Sequence, residues 1–452
     1  MFWAGPHSHM NFDQIAALVV LVAVVGVLIH GKVRSDVAAL SAAAALLLLG
    51  VIRPVEVQGA FASPAVVALA SLFVIAYAIE LSGLLGLLIR QATRLCARLG
   101  EKGLWLVIGM CGSVGGFLNN TPIVVLAAPV IKDVATSLGL SPKRFLMPLS
   151  YVTVLGGLLT LIGTSTNLLV NDMARNAGQP AFGMFEITPV GLVIAGAGGV
   201  YLYLFGAKLL PKEEAAPADA APPAMAVGEA RGAEGGAGDA VLGDVDLYKA
   251  ADRPFQFRKA MVALAVFVSV VAAAALGVAP ISATAFAGAV SLILFKVISP
   301  EEAYAGLRPD VLLLIAGMVV VGMSIEVTGL AAAGTELLID FIRPFGPLTA
   351  LIVLYGVTLV ATEFLSNAAV AVLVTPVAVA LAESLGVDPR PFLVGVMMAA
   401  SAAFATPFGY QTNVLVFQMG GYRYMDFVRV GVPLNIVTWI AAMFAIPVFF
   451  PF

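Results

Sequence analysis

The sequence predicts an all-α polytopic membrane protein built as two inverted-topology repeats, each of five transmembrane helices plus one re-entrant hairpin with a broken helix after it. Three observations predict this. The chain is 61% hydrophobic and only 11% charged, against roughly 25% charged in an ordinary soluble domain. Its phrases recur at one spacing along its length. Its apolar runs are interrupted at matching places by glycine, proline, asparagine and threonine, where a helix is hard to continue.

Residues 1–12 show no periodicity and no basic leader, and read as a loose tail; His7 and His9 lack the further ligands a metal needs. The run Ile15–Ile29 leads into His30-Gly31-Lys32-Val33-Arg34 and a second apolar run, not into a small-residue cleavage site, so it reads as a retained transmembrane helix. At about 20 apolar residues per span, the next helices fall at Asp36–Ile52 and Pro64–Ile89. The stretch Leu104–Ile131 is interrupted by Gly112-Ser113-Val114-Gly115-Gly116 and by Asn119-Asn120-Thr121-Pro122, which makes it two half-helices meeting at a tip. Phe145–Val170, interrupted at Gly163-Thr164-Ser165-Thr166-Asn167, and Pro189–Leu209 complete the first copy. The second copy reads Lys259–Leu276, Ile281–Ile298, Val311–Leu330, a broken stretch Leu348–Leu381, then Phe392–Phe417 interrupted at Thr406-Pro407-Phe408-Gly409, and Phe427–Phe449.

The copies correspond at an offset of 247 (367 − 120), drifting by one. Phe117-Leu118-Asn119-Asn120-Thr121 answers Phe364-Leu365-Ser366-Asn367-Ala368; Ile79-Glu80-Leu81-Ser82-Gly83 answers Ile325-Glu326-Val327-Thr328-Gly329; Gly163-Thr164-Ser165-Thr166-Asn167 answers Gly409-Tyr410-Gln411-Thr412-Asn413. Repeat 1 is placed at 13–210 and repeat 2 at 258–452. Residues 211–257, rich in Ala, Gly, Pro and acidic side chains, read as a disordered cytoplasmic linker. Five crossings per copy turn the second copy upside down. Lys and Arg gather in cytoplasmic loops. Placing the linker inside collects Lys32, Arg34, Arg90, Arg94, Lys143 and Arg144 among many others, and leaves Arg53, Arg175, Arg343 and Arg390 on the far side. Both termini are then outside.

The chemistry is expected at the two tips. Unpaired amides and hydroxyls are costly in apolar surroundings and mark a site. Broken helices expose carbonyl oxygens that suit a small hard cation, and half-helix N-termini present N–H groups to an anion. No Lys or Arg occurs from Leu104 to Ile131 or from Leu348 to Leu381, so a multiply charged anion there needs a co-bound cation, and Na⁺ held by carbonyl, Asn and Thr oxygens supplies it. Glu80, Glu326 and Glu363 are the other intramembrane acids; each reads either as a hydrogen-bonding residue or as a proton carrier. Cys96 and Cys111 have no metal-ligand spacing and read as small apolar residues. A net charge of −3 without a basic aromatic patch gives no reason to expect nucleic acid. No Ser/His/Asp triad, P-loop or paired carboxylate suggests an enzyme.

At these residues the chain resembles the divalent anion/sodium symporter family of the ion transporter superfamily, which carries a Ser-Asn-Thr signature at each tip and a Gly-Thr-Pro-Pro-Asn-like break in the following helix. The resemblance implies a sodium-coupled symporter of a divalent anion, a homodimer of the inner membrane working by an elevator mechanism. The scaffold would be residues 13–90 and 258–332, and the moving parts 104–210 and 348–452. It implies that Asn119, Asn120, Thr121, Ser366, Asn367 and Ala368 contact substrate. It also implies one sodium site from Asn120, Gly163 and Thr164 with Asn167, and another from Thr362, Asn367, Ala405 and Thr406 with Asn413. Asn119, Ala368 and Ser165-Thr166 depart from the family pattern, and a lost hydroxyl removes an anion ligand. A sulfate-like oxyanion is favoured over a dicarboxylate. The alternatives are a proton-driven exporter of an oxyanion such as arsenite, with Glu363 or Glu80 carrying the proton, and a sensor with a vestigial site.

Overall fold

A computed structural model describes residues 11–30, 33–84, 86, 87, 91, 99–206, 208–210, 255–330, 346–407 and 409–452. The expected linker lies outside the described residues except for 255–257, as do residues 1–10 of the tail, Cys96, and Phe408 of the second break. Among the described residues the structure is helical, with no strand.

The first series of helices is α1 (Phe12–His30), α2 (Ser35–Leu48), α3 (Pro54–Phe61), α4 (Pro64–Leu81), α5 (Glu101–Gly115), α6 (Asn120–Ser137), α7 (Lys143–Gly157), α8 (Ser165–Asn176) and α9 (Thr188–Tyr201). The second is α10 (Phe257–Ala275), α11 (Ile281–Leu294), α12 (Pro300–Gly306), α13 (Pro309–Val327), α14 (Gly346–Ala361), α15 (Asn367–Leu385), α16 (Arg390–Ala400), α17 (Gln411–Gly420) and α18 (Tyr424–Phe449). The order repeats element for element. Packing obeys the same exchange: α2 lies on α13 as α11 lies on α4, α5 on α7 as α14 on α16, and α6 on α17 as α15 on α8.

Five described helices are long and apolar enough to cross a bilayer, and six if the bent pair Pro300–Gly306 and Pro309–Ile325 counts as one span. Large apolar side chains as exposed as Leu48 (87%) and Leu276 (80%) are what a lipid-facing surface requires, since such exposure in water would oppose folding.

Among the boundaries that differ from expectation, three sets have a local reason. The helix expected over Pro64–Ile89 closes at Leu81, and its counterpart closes at Val327. Gly83 (φ +74°) and Gly329 (φ +69°) take the left-handed backbone that ends a helix. Pro54 and Pro300, at matching places in the two copies (54 + 246), begin the short separate helices α3 and α12. Glu56 accepts from Arg53 N at 2.8 Å and Glu302 from Ser299 N at 2.8 Å, a cap three residues into a proline-started helix. The interruptions of the broken helices are longer than expected, running from 158 to 164 and from 401 to 410.

Each break rests on a glycine of the last helix in its copy. A Cβ built on Gly191 would lie 2.3 Å from Leu158 O, and one on Gly431 2.0 Å from Phe404 O. We expect Gly431→Ala to destabilise the protein by about 1–3 kcal/mol through overpacking. Gly199→Ala, with nothing within 4 Å of the added methyl, should be neutral. Thermal unfolding in detergent checks both.

Candidate functional site

Each tip begins with a capped half-helix. Asn119 caps α6 by accepting from Thr121 N at 3.2 Å, and Ser366 caps α15 by accepting from Ala369 N at 3.3 Å. Each following break is stapled by an asparagine. Asn167 Nδ2 donates to Gly157 O at 3.3 Å and Thr160 O at 3.0 Å; Asn413 Nδ2 donates to Ala403 O at 2.8 Å and Thr406 O at 3.2 Å. A threonine then ties break to tip: the Thr160 hydroxyl donates to Gly116 O, and that of Thr406 to Glu363 O at 3.2 Å. Every partner of the staples and ties in one copy has its counterpart 246 or 247 residues on in the other.

The tips differ in what is left unpaired. Asn120 (1% exposed) and Asn167 (0% exposed) each bury an Oδ1 with no hydrogen-bond partner, whereas Asn367 buries an unpartnered Nδ2. Around Asn120 Oδ1 the space is shaped by Gly115, whose added Cβ would lie 3.0 Å from that oxygen and 2.8 Å from Thr153 O. The counterpart of Gly115 is Thr362 (362 − 247 = 115). Thr362 Oγ1 lies 2.8 Å from Asn367 Oδ1 and 2.7 Å from Ala400 O. One hydroxyl proton cannot serve both acceptors, so three oxygens converge there with a single proton between them. Asn367 thus turns its oxygen toward Thr362 Oγ1, whereas at the first tip a Cβ built on Gly157 would lie 3.3 Å from both Asn120 Nδ2 and Gly163 O, so that amide nitrogen faces the break.

The residues expected in the site occupy these places. Asn120, Thr121, Thr164, Asn167, Thr362, Asn367, Ala405, Thr406 and Asn413 are buried. Gly163 lies in the first break, buried, with its added Cβ 2.5 Å from Gly157 O; Asn119 and Ser366 are half-buried caps; Ala368 lies buried in the first turn of α15. The structure brings tip 1 against break 2, and α15 against α8.

Sequence reasoning missed the side chains that cross between copies. Asn120 Nδ2 donates to the Tyr410 hydroxyl oxygen at 3.1 Å, and the Thr121 hydroxyl donates to Gln411 Oε1 at 3.1 Å. Tyr151 donates to Phe404 O at 2.6 Å, and the Ser150 hydroxyl lies 2.7 Å from both Thr412 Oγ1 and Asn413 Oδ1. A signal existed for Tyr410 and Gln411, since long polar side chains stand there opposite the short Thr164 and Ser165 of the first copy.

Glu363 is a cap. Its Oε1 accepts from Ala405 N at 2.8 Å and from Asn435 Nδ2 at 2.7 Å, and its Oε2 from Thr406 N at 2.9 Å. Two N–H groups freed by the second break are thus satisfied by a carboxylate from the hairpin, which is the physical reason this break can run longer than the first. Glu80 is buried on α4 (7% exposed); the side chain of Glu326 lies outside the described residues. Glu363→Gln would set an amide NH₂ against backbone N–H donors. A loss of about 1–3 kcal/mol, the penalty for an unmet buried polar group, is expected in thermal unfolding, with a smaller loss for Asn435→Ala.

The sequence profile of the family described as "CitMHS: Citrate transporter" matches residues 20–387 and 364–451. An uncharacterized transporter of Synechocystis, sll0640, is 25% identical and aligns with 90% of this chain and 92% of its own length. A protein of Chlamydomonas reinhardtii named probable sodium/sulfate cotransporter 3 is 42% identical across 22% of this chain and 12% of its own. Among solved structures, the YdaH transporter of Alcanivorax borkumensis shares the fold, with a TM-score of 0.60 at 12% identity over 97% of this chain and 98% of that one.

Proposed function

The chain belongs to the CitMHS citrate transporter family, and from that premise we propose that it is a sodium-coupled symporter of a divalent anion, with a sulfate-like oxyanion favoured over a dicarboxylate. The observation that carries the reading is the pair of buried, unpartnered amide oxygens of Asn120 and Asn167. An acceptor left unmet in a protein interior costs about 1–3 kcal/mol, and a cation bound by both oxygens would offset that cost. Gly163 and Thr164 complete this first sodium site. The second consists of Thr362, Asn367, Ala405, Thr406 and Asn413, where the Thr362 oxygen convergence supports it. The anion site lies between the tips and is lined by Asn119, Asn120, Thr121, Ser366, Asn367 and Ala368.

The partial matches to proteins named sodium/sulfate cotransporters support both the ion and the oxyanion. The remaining parts of the proposal follow from the repeat: five crossings and one re-entrant hairpin per copy, opposite insertion, termini outside and the linker in the cytoplasm. Residues 104–210 and 348–452 move as an elevator against the scaffold of 13–90 and 258–332 in a homodimer of the cell membrane. The cap role of Glu363 weighs against the proton-driven alternative, because each of its carboxylate oxygens is already engaged by N–H donors.

Uptake of radiolabelled sulfate and succinate into proteoliposomes is expected to follow an inward Na⁺ gradient. Flux that follows a pH gradient and ignores sodium would overturn the proposal. Asn120→Ala and Asn367→Ala should each lower sodium-driven uptake more than tenfold while the protein stays monodisperse.

A further inference from the structure

The first tip has spent donors that the second keeps. Tyr410 is the N-cap of α17, and its hydroxyl oxygen accepts from Nδ2 of Asn120, the first residue of α6, and faces the side chain of Thr164, the N-cap of α8. The N-termini of α6 and α8 therefore lie beside one phenol oxygen. Such N-termini carry partial positive charge and unmet N–H groups, the surroundings an anion seeks. Beside it, the Thr121 hydroxyl donates to Gln411 Oε1. A hydroxyl has one proton, so Thr121 has none left for a substrate while Gln411 holds it. Gln411 also turns a carbonyl oxygen toward this tip, which opposes a negative group there.

The other half differs at every matching position. Thr164 and Ser165 stand where the second copy has Tyr410 and Gln411 (410 − 246 and 411 − 246), and their side chains are too short to cross. Ala368 replaces Thr121 (121 + 247), and Asn367 Nδ2 remains buried without a partner.

Building on the anion-symport reading above, we infer that Tyr410 and Gln411 are specificity-determining residues: their oxygens fill one half of a two-fold anion site, so the protein accepts a one-centred tetrahedral oxyanion at the Asn367 side and refuses a two-headed dicarboxylate that needs donors at both tips. The departure at Ala368 and the long side chains at 410 and 411 then belong to one change, the conversion of a site with two equivalent halves into a site with one.

The test measures binding and uptake separately in the full-length purified protein. Scintillation-proximity binding of radiolabelled sulfate and of radiolabelled succinate, at fixed Na⁺, is compared for the wild type, Gln411→Ala and the double variant Tyr410→Thr/Gln411→Ser, which copies the residue types of the first copy. The wild type should bind sulfate and should not lose it to a tenfold excess of succinate. The succinate-to-sulfate ratio should rise at least tenfold in the double variant and measurably in Gln411→Ala. Because Gln411 is exposed, that single variant keeps the fold and the test stays decisive if the double variant is not monodisperse. A wild type that binds succinate as well as sulfate, a wild type that binds neither, or a monodisperse Gln411→Ala with an unchanged ratio would each overturn the inference. Proteoliposome uptake separates the two proposals: selection that behaves as stated with flux driven by protons and not by sodium would remove the coupling proposal and leave the role of Tyr410 and Gln411 standing.

Discussion

A helix can stop inside a membrane only if the carbonyls it frees find donors within the protein, and in this chain one asparagine amide does that in each copy. Asn167 and Asn413 each reach back across a break and donate to two carbonyls at once. Both are fully buried (0% exposed), where water cannot substitute. Everything at the centre depends on these staples. They hold α8 and α17 in register with the ends of α7 and α16, and so fix where the N-cap residues Thr164 and Tyr410 stand. A second constraint supports them from behind: Gly191 and Gly431 let the last helix of each copy touch the backbone of the break, so the break has no room to reseal into a straight helix.

The staples leave each break facing the hairpin of the opposite copy, which makes the duplication a requirement of the site and not only its history. Ser150 and Tyr151 of the first copy meet Asn413 and Phe404 of the second, while Tyr410 and Gln411 of the second meet Asn120 and Thr121 of the first. One copy alone would leave these polar groups unmatched in apolar surroundings, at a cost no single contact could offset. The two copies have nonetheless diverged where they touch. Ser150 has Met397 as its counterpart (150 + 247), and in keeping with that exchange Asn413 Oδ1 has a hydroxyl beside it while Asn167 Oδ1 has no partner.

Much of this was legible in the sequence because the repeat is written in residues with few other reasons to occur in apolar runs. Asn120, Asn367, Asn167 and Asn413 announce tips and breaks at one offset, and the element order follows. The short helices at Pro54 and Pro300 depend on a cap formed by Glu56 and Glu302, a local competition that periodicity does not register. The lengths of the breaks were misjudged for a related reason. Helix ends are set by which group supplies the missing hydrogen bond, and for the second break that group is Glu363, far away in sequence. The crossing of Tyr410 to Asn120 was illegible for the plainest cause: a contact over 290 residues has no local signature, and only the oddity of Tyr and Gln opposite Thr and Ser pointed to it.

The asymmetry bears on why an anion should need cations here at all. Neither Leu104–Ile131 nor Leu348–Leu381 carries a Lys or Arg, whereas the second stretch carries Glu363, so the only formal charge in these two stretches is negative. Helix N-termini contribute about half a charge each, and the carboxylate of Glu363 already draws on two N–H groups of the second break. On the proposed reading a divalent anion arriving without cations would add two negative charges beside an existing one in a medium of low dielectric, where like charges repel far more strongly than in water. Cations held by Asn120, Asn167 and the Thr362 oxygens would reverse that sign. Coupling, on that proposal, would need no separate gate to enforce it: the anion would be refused while its charge is uncompensated and accepted once sodium had neutralised the site.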